Sequence, residues 1–364
     1  MRIFLASGSY DVAYGGPAFS VSRLGLALAK KGIEVFLWAP DESAVSSRVI
    51  ADHRLLHRCR GPLREAIRRA LPDLVHDNGI WMPHNHRLAK VCNNEKMPRV
   101  VSVRGMLEPW AINHKRFRKV LAWWLYQRND LRSVLMLHVT APMEKKHLEK
   151  YRLGVSIEII PNGIDIPAIK KHNQERVGVG LGDNHRIALF MSRLNPKKGL
   201  PMLIEAWGRV KPKGWRLIIA GPDEGGHQRE VERMVRDKGL AQEVSFLGPV
   251  DPESRSRLYW SAELFILPTH SENFGMVIGE ALAHGVPVLT TKGAPWPLLE
   301  KERCGWWVDP SVEGVEKGLR SATSLSRRDL SDMGGLGHKF IRRDYSWEKI
   351  ADRFIKVYRE ILST

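Results

Sequence analysis

Glu272 and Glu280, separated by seven residues, lie in the run Ser271-Glu272-Asn273-Phe274-Gly275-Met276-Val277-Ile278-Gly279-Glu280-Ala281-Leu282-Ala283. Carboxylates at that spacing are suited to holding hydroxyl groups of a polyol. The preceding stretch, Ala262 to Pro268, has the bulky apolar character of a buried strand, and the following one reads as a helix closing at Gly285-Val286-Pro287. Glu272 is therefore expected in a strand-to-helix loop and Glu280 roughly two turns along the helix. The first amides of that helix have no intrahelical partners and sit at the positive end of its dipole, so a phosphate is favoured there.

Cations recur at a second strand end. The run Ile187–Met191 leads into Ser192-Arg193-Leu194, and Lys198-Gly199 opens the next helical stretch. Parallel α/β sheets bind ligands in the crevice beyond the carboxyl ends of their strands. Fixed Arg and Lys groups there compensate the charge growing on a departing diphosphate. The neighbouring Lys197 reads as solvated. Near the N-terminus, Gly15-Gly16 follows the first strand and precedes a helical segment from Ala18 to Lys31, where a glycine pair lets backbone amides approach a phosphate. The pair is not a Gly-x-Gly-x-x-Gly dinucleotide fingerprint, which argues against a nicotinamide enzyme.

Together with Gly15-Gly16-Pro17, Pro161-Asn162-Gly163-Ile164-Asp165, Lys197-Lys198-Gly199 and Ala220-Gly221-Pro222, the two glutamates resemble the Glu-x7-Glu pattern of family 4 retaining glycosyltransferases. The resemblance covers nearly the whole chain. It implies an α/β, GT-B architecture: two Rossmann-like, doubly wound domains facing an interdomain cleft. The expected divisions are an acceptor-side domain at 1–165, a nucleotide-sugar-binding domain at 166–345, and a C-terminal helix at 346–364 crossing back to the first domain.

The same resemblance implies residue roles. Arg193 and Lys198 contact the donor diphosphate, Glu280 the ribose and Glu272 the sugar hydroxyls; Arg193, Lys198 and Glu272 form the catalytic set. The backbone of Asn273, Phe274 and Gly275 lies beside the sugar, and the amides of Met276 and Val277 near the diphosphate. Phe274 is equally readable as a packing residue. Gly15 and Gly16 face the donor phosphates, and Val250 meets the base, although Asp251 beside it also reads as a helix cap. Transfer is expected with retention and without metal or other cofactor. With no carboxylate nucleophile identifiable, front-face attack is preferred to a covalent intermediate.

On the acceptor side, His76-Asp77-Asn78-Gly79 and Arg104-Gly105-Met106-Leu107-Glu108 follow apolar strands. Asp77, Arg104 and Glu108 are the acceptor candidates there. Many family members carry His-Gly where this chain has Arg104-Gly105, so the family's histidine role does not transfer directly. The stretch from His114 to Arg128 joins a basic cluster to Trp123, Trp124 and other bulky groups. It reads either as a peripheral contact with an anionic membrane, consistent with the lipid-linked acceptors often used in the family, or as a packed helix with a solvated basic end.

Alternating strand and helix patterns must position all these groups. Strands are expected at Arg2–Ala6, Glu34–Trp38, Leu74–His76, Val100–Val103 and Leu135–Val139. A second series follows at Ile187–Met191, Arg216–Ala220, Val244–Leu247, Leu264–Leu267, Val288–Thr290 and Trp306–Val308. The duplication suggests two parallel-sheet domains joined by a Gly- and polar-rich connector from Pro161 to Asn184.

At 364 residues, with 43% hydrophobic and 27% charged residues, the chain can bury two cores and is not disordered in composition. Three cysteines without ligand or disulfide spacing suit a reducing compartment. The first apolar run is too short for a secretory signal, and no run is long enough to span a bilayer. A cytoplasmic protein is thus expected, peripheral at the inner membrane face. The net charge of +17 implies an anionic partner. The expected partners are a nucleotide-sugar donor and a glycan or lipid-linked acceptor, with a role in bacterial-type surface polysaccharide assembly. A phosphorylase or epimerase of GT-B type is the enzymatic alternative. A nucleic-acid binder is disfavoured by the absence of zinc-finger or RNP-like motifs.

Overall fold

The computed structural model describes residues 1–11, 14–47, 50–113, 116–168 and 185–363. Much of the expected connector, 169–184, and the basic pair His114-Lys115 lie outside the described residues. The chain forms two compact units, Met1–Gly163 with Trp347–Thr364, and Ile164–Ser346.

Among the described residues the first unit contains seven parallel strands: β1 (Arg2–Ser7), β2 (Glu34–Trp38), β3 (Leu56–Arg58), β4 (Leu74–Asn78), β5 (Arg99–Ser102), β6 (Met136–Val139) and β7 (Ser156–Ile159), in the order β3-β2-β1-β4-β5-β6-β7. The described residues of the second form six: β8 (Arg186–Met191), β9 (Trp215–Ala220), β10 (Val244–Gly248), β11 (Leu264–Leu267), β12 (Val288–Thr291) and β13 (Gly305–Val308), in the order β10-β9-β8-β11-β12-β13. Helices cover both faces of such sheets, so the inner strands are buried apolar runs rather than alternating ones. Phe4, Leu5, Leu189, Phe190, Phe265 and Ile266 are fully buried.

The doubly wound, two-sheet architecture matches the sequence expectation. Two strands were not legible: β3 and β7. Both are sheet edges and only partly buried, and polar residues interrupt their short sequences, Leu-His-Arg and Ser-Ile-Glu-Ile. Each sheet has a point where chain progression reverses direction, between β1 and β4 in the first unit and between β8 and β11 in the second. Loops leaving the strands there splay apart and open a crevice at their carboxyl ends.

The helix Trp347–Ser363 packs in the first unit. Its Ile350, Ala351, Phe354, Ile355 and Tyr358 share a core with Ile3, Leu5, Val21 and Leu24. A buried polar chain fastens it to the sheet. Tyr358 Oη lies 2.6 Å from His76 Nδ1; His76 Nε2 lies 2.6 Å from Ser102 Oγ; Ser102 Oγ lies 2.6 Å from His138 Nδ1; His138 Nε2 lies 2.7 Å from the Ile160 carbonyl.

The terminal carbonyl only accepts, which for neutral imidazoles fixes every proton in this chain. His138 must donate from Nε2 and accept at Nδ1, Ser102 donates to His138 and accepts from His76 Nε2, and Tyr358 donates to His76 Nδ1. Burial is what keeps both imidazoles neutral. Burial, the principal cause, pulls the His138 pKa down to about 3 and His76 well below the ordinary histidine range. Among the described residues no helix is long and apolar enough to cross a membrane.

Candidate active site

In the second unit, two loops at the β8/β11 switch point are joined by backbone contacts. After β8 the chain makes a short 3-10 turn, Pro196–Lys198, capped by Asn195, whose side chain accepts from the Lys197 amide. Gly199 follows with φ 73°; a Cβ there would stand 1.9 Å from the Pro268 carbonyl oxygen at the end of β11. Only glycine permits both this backbone conformation and this approach. The Lys197 carbonyl then accepts from the His270 amide at 2.8 Å and from Thr269 Oγ1 at 3.0 Å. The result places Lys198 Nζ directly on Glu272 Oε1, with only 13% and 12% of the two side chains exposed.

Arg193 projects from the same strand end. Its backbone is held by the neighbouring turn: Ser192 N donates to Ala220 O at 3.1 Å and Leu194 N to Pro222 O at 2.8 Å. Gly221, with φ 135°, brings its α-carbon so close to the Ser192 carbonyl that a Cβ would lie 1.9 Å from that oxygen. This gives the Ala220-Gly221-Pro222 motif a physical reason. The Arg193 side chain is 65% exposed and donates to Glu224 at 3.0 Å, while Asn195 donates to the other Glu224 oxygen at 3.1 Å.

The glutamate loop is anchored by aromatic packing. Glu272 N donates to Gly293 O at 2.8 Å, and Trp296 Nε1 donates to the Phe274 carbonyl at 2.6 Å. The Phe274 ring is buried, 5.3 Å from Trp296 and 6.1 Å from Tyr345 between centroids. Its ring is therefore engaged in packing while its backbone shapes the loop beside Asn273. Gly275 caps the helix Met276–Ala283, whose first intrahelical bond is donated by Ile278 to Gly275 O at 2.9 Å. The Met276 and Val277 amides precede that bond and so lie at the positive end of the helix dipole.

Glu280 stands just over one turn into this helix, nearer its start than the two turns inferred from sequence, because the loop extends through Gly275. Its carboxylate is held by Arg255 Nη2 and, at 3.0 Å, by Tyr259 Oη. Burial, followed by the Glu280 charge, pushes the Tyr259 phenol well above its usual range, so it remains a proton donor. Arg255 and Tyr259 are one turn apart on the helix Pro252–Ser261, capped by Asp251 through the Glu253 and Ser254 amides at 2.9 and 3.0 Å. Val250, just before that cap, is partly buried two residues past the end of β10.

In the first unit, Gly15 caps the helix Gly16–Lys30 with φ 79°, and a Cβ on either glycine would meet open space. One turn on, Ser20 Oγ accepts from Arg104 Nη1 at 3.2 Å. Arg104, itself at φ 53°, also donates to Asn162 at 2.9 Å and to Asn78 at 2.7 Å. Its guanidinium thus ties the glycine-capped helix, the end of β4 and the Pro161-Asn162-Gly163 segment together, and burial lowers its pKa to about 10. Glu144 supports the turn from below by accepting from the Gly105 amide and from the Thr140 amide at 2.7 Å.

Asp77 is 1% exposed and accepts from Asn85 at 2.8 Å; burial raises its pKa to about 7. Glu108 pairs with His147 on the helix Pro142–Glu149. The structure therefore joins Lys198 with Glu272, and Arg104 with the Gly15-Gly16 helix, while Arg193, Glu280, Asp77 and Glu108 each have a separate partner. Those partners, Glu224, Arg255, Tyr259, Asn85 and His147, were not identified from sequence. Of these, Arg255 and Tyr259 could have been placed on one helix face by their i, i+4 spacing.

Comparison with known proteins places these features in a family. Residues 171–334 match the family described as Glycosyl transferases group 1, and residues 14–167 match Glycosyltransferase Family 4. A D-inositol 3-phosphate glycosyltransferase of Segniliparus rotundus is 30% identical over 235 residues, covering 60% of this chain and 51% of that protein. The chain spans about half the length of the curated relatives it matches.

Among solved structures, a sucrose-phosphate synthase from Thermosynechococcus elongatus aligns with a TM-score of 0.78 at 20% identity, over 99% of both chains. The Anabaena protein HepE in complex with UDP aligns with a TM-score of 0.76 at 18% identity, over 99% of this chain and 100% of that one. At these identities the structural likenesses establish the shared GT-B fold.

Proposed function

The chain belongs to the group 1, family 4 glycosyltransferases, and from that premise we propose that it transfers a sugar from a nucleoside-diphosphate donor to a glycan or lipid-linked acceptor, with retention at the anomeric carbon and without a metal ion. The observation that carries this reading is the shielded Lys198–Glu272 pair beside the amino end of the Met276–Ala283 helix. A lysine has three N–H donors. Lys198 can keep Glu272 oriented with one and offer the others to the departing diphosphate. Glu272 then accepts from sugar hydroxyls, while the Met276 and Val277 amides and Arg193 add to the electrostatic stabilisation. Glu280, held by Arg255 and Tyr259, is preset to accept from ribose hydroxyls. Val250 contacts the base.

In the proposed reaction the bond from the anomeric carbon to phosphate oxygen breaks as the acceptor oxygen bonds on the same face. The acceptor proton passes to the departing phosphate oxygen, and nucleoside diphosphate is released. A donor of the uridine type is supported by the UDP complex of the related fold, and surface polysaccharide assembly is the biological setting we favour. The test is nucleoside diphosphate release measured with and without a glycosyl acceptor in EDTA, with the anomeric coupling of the product read by NMR. Acceptor-dependent release with retained configuration is expected. Acceptor-independent epimerisation, phosphate-dependent cleavage, inversion, or loss of activity restored only by a divalent ion would overturn the corresponding part of the proposal.

A further inference from the structure

The helix Arg116–Ala122 of the first unit continues into a π-helical turn, Trp123–Gln127. Phe117 is 92% exposed and Trp124 69%, and Leu121 and Leu125 are exposed beside them. Isolated apolar groups on a surface need no explanation, but a contiguous cluster rimmed by charge marks an interaction site.

The wide turn sends Trp123 inward while Trp124 stays out. The Trp123 ring lies 6.2 Å from Trp81 and 4.9 Å from Tyr151. With Ile112, Val120 and Trp124 these aromatics line a cavity of about 130 Å³. That is close to the ~150 Å³ of an apolar cavity able to take up benzene, enough for a segment of hydrocarbon chain.

Cations surround the cavity: Lys119 Nζ lies 5.8 Å from the Trp81 ring centre, and the Arg128 guanidinium 5.7 Å from that of Trp124. Arg116 and Arg118 are exposed, and no acidic residue occurs from Ala111 to Arg128. The walls grow from the loops bearing the acceptor candidates. Trp81 follows Asp77 and Asn78, and its indole donates to Met106 O at 3.1 Å, two residues beyond Arg104; Ile112 lies on the Pro109–Asn113 helix that begins after Glu108.

We propose that this slot receives one hydrocarbon chain of a lipid from an anionic bilayer. Phe117, Leu121, Trp124 and Leu125 enter the interface, and Arg116, Arg118, Lys119 and Arg128 meet the headgroup phosphates. A second copy of the chain is a poorer occupant, since a two-fold contact would oppose the same acid-free basic segments. The inference rests on, and narrows, the lipid-linked acceptor reading: the acceptor's chain would be lodged beside the loops that hold its reactive end.

The experiment is co-sedimentation with phosphatidylcholine vesicles and with phosphatidylcholine–phosphatidylglycerol vesicles, at low and moderate salt and without nucleotide. The parent is expected to bind only the anionic vesicles, less so as salt rises. A Phe117→Glu, Trp124→Glu double variant should bind at least about tenfold less, with an unchanged thermal midpoint showing that it folds. In a Trp124→Phe variant, vesicles with brominated chains should still quench tryptophan fluorescence through Trp81 and Trp123. No vesicle binding by the parent, equal binding by the double variant, or binding without quenching in Trp124→Phe overturns the proposal. So does a parent dimer that the double variant dissolves on gel filtration, which would assign the face to a second copy. Nucleotide-sugar binding is scored separately, so its failure would sink the transferase reading without altering the vesicle result.

Discussion

Lys198 and Arg193 belong to one basic strand end but have different electrostatic surroundings. Lys198 is largely shielded and holds Glu272, whereas Arg193 is mostly exposed and holds Glu224. Charge stabilisation is strongest where water is excluded. Lys198→Ala should therefore lower turnover by about 10²–10³-fold, and Arg193→Ala by about tenfold because solvent screens it. Steady-state kinetics on folded variants check this; equal, small losses would contradict the shielding argument. Asp77 gives a separate test. Its folded pKa of about 7 lies above the unfolded value of about 3.9. The folded state therefore holds the proton more tightly, a contribution fully present below about pH 4 and lost as pH rises through about 7. Asp77→Asn preserves the acceptor for Asn85 but cannot ionise. Its thermal midpoint should equal the parent's near pH 4, gain on it from there to about pH 7, and then hold a constant lead; a pH-independent difference would refute this. The residue pattern made Glu272, Glu280, Arg193 and Lys198 legible because motif and spacing are local. Arg255, Tyr259 and Glu224 were not, because their carboxylate or guanidinium partners come from distant segments that only the folded sheet brings near.

The C-terminal helix is an element whose partner could not be read from its own periodicity. Ile350, Phe354 and Tyr358 announce a buried stripe, but the receiving surface is built from β1, the Gly16–Lys30 helix and the polar chain across β4, β5 and β6. Tyr358→Phe would keep the packing and leave the buried His76 Nδ1 without its donor. An unsatisfied buried acceptor costs about 1–3 kcal/mol. The chemical denaturation midpoint should fall accordingly, while Val357→Ala, partly exposed on the same helix, should change it less. An unchanged midpoint in Tyr358→Phe would show that the hydrogen-bonded chain contributes nothing net. The inner strands were legible because burial on both faces demands continuous apolar runs. The edge strands β3 and β7 escaped because partial exposure allows histidine, arginine, serine and glutamate into them.

At the scale of the molecule, two parallel sheets each reverse chain order once, and the candidate groups gather at those reversals: Gly15, Gly16, Asp77 and Arg104 in one unit, Arg193, Lys198 and Glu272 in the other. The topology explains why motifs far apart in sequence come together, since β8 and β11 are neighbours although two strands separate them along the chain. The net charge of +17 adds long-range attraction for anionic donors and surfaces but does not discriminate among them. The proposed function assigns that discrimination to the paired side chains. Calorimetric titration of nucleotide sugars, beginning with UDP-glucose, into the parent chain and into folded Lys198→Ala and Glu280→Ala variants therefore tests the proposed site most directly. Saturable binding by the parent to at least one donor, weakened at least about tenfold by either substitution as a charge-assisted contact is lost, is the expected result. Failure of every nucleotide sugar to bind the parent, or undiminished binding by both variants, would contradict it.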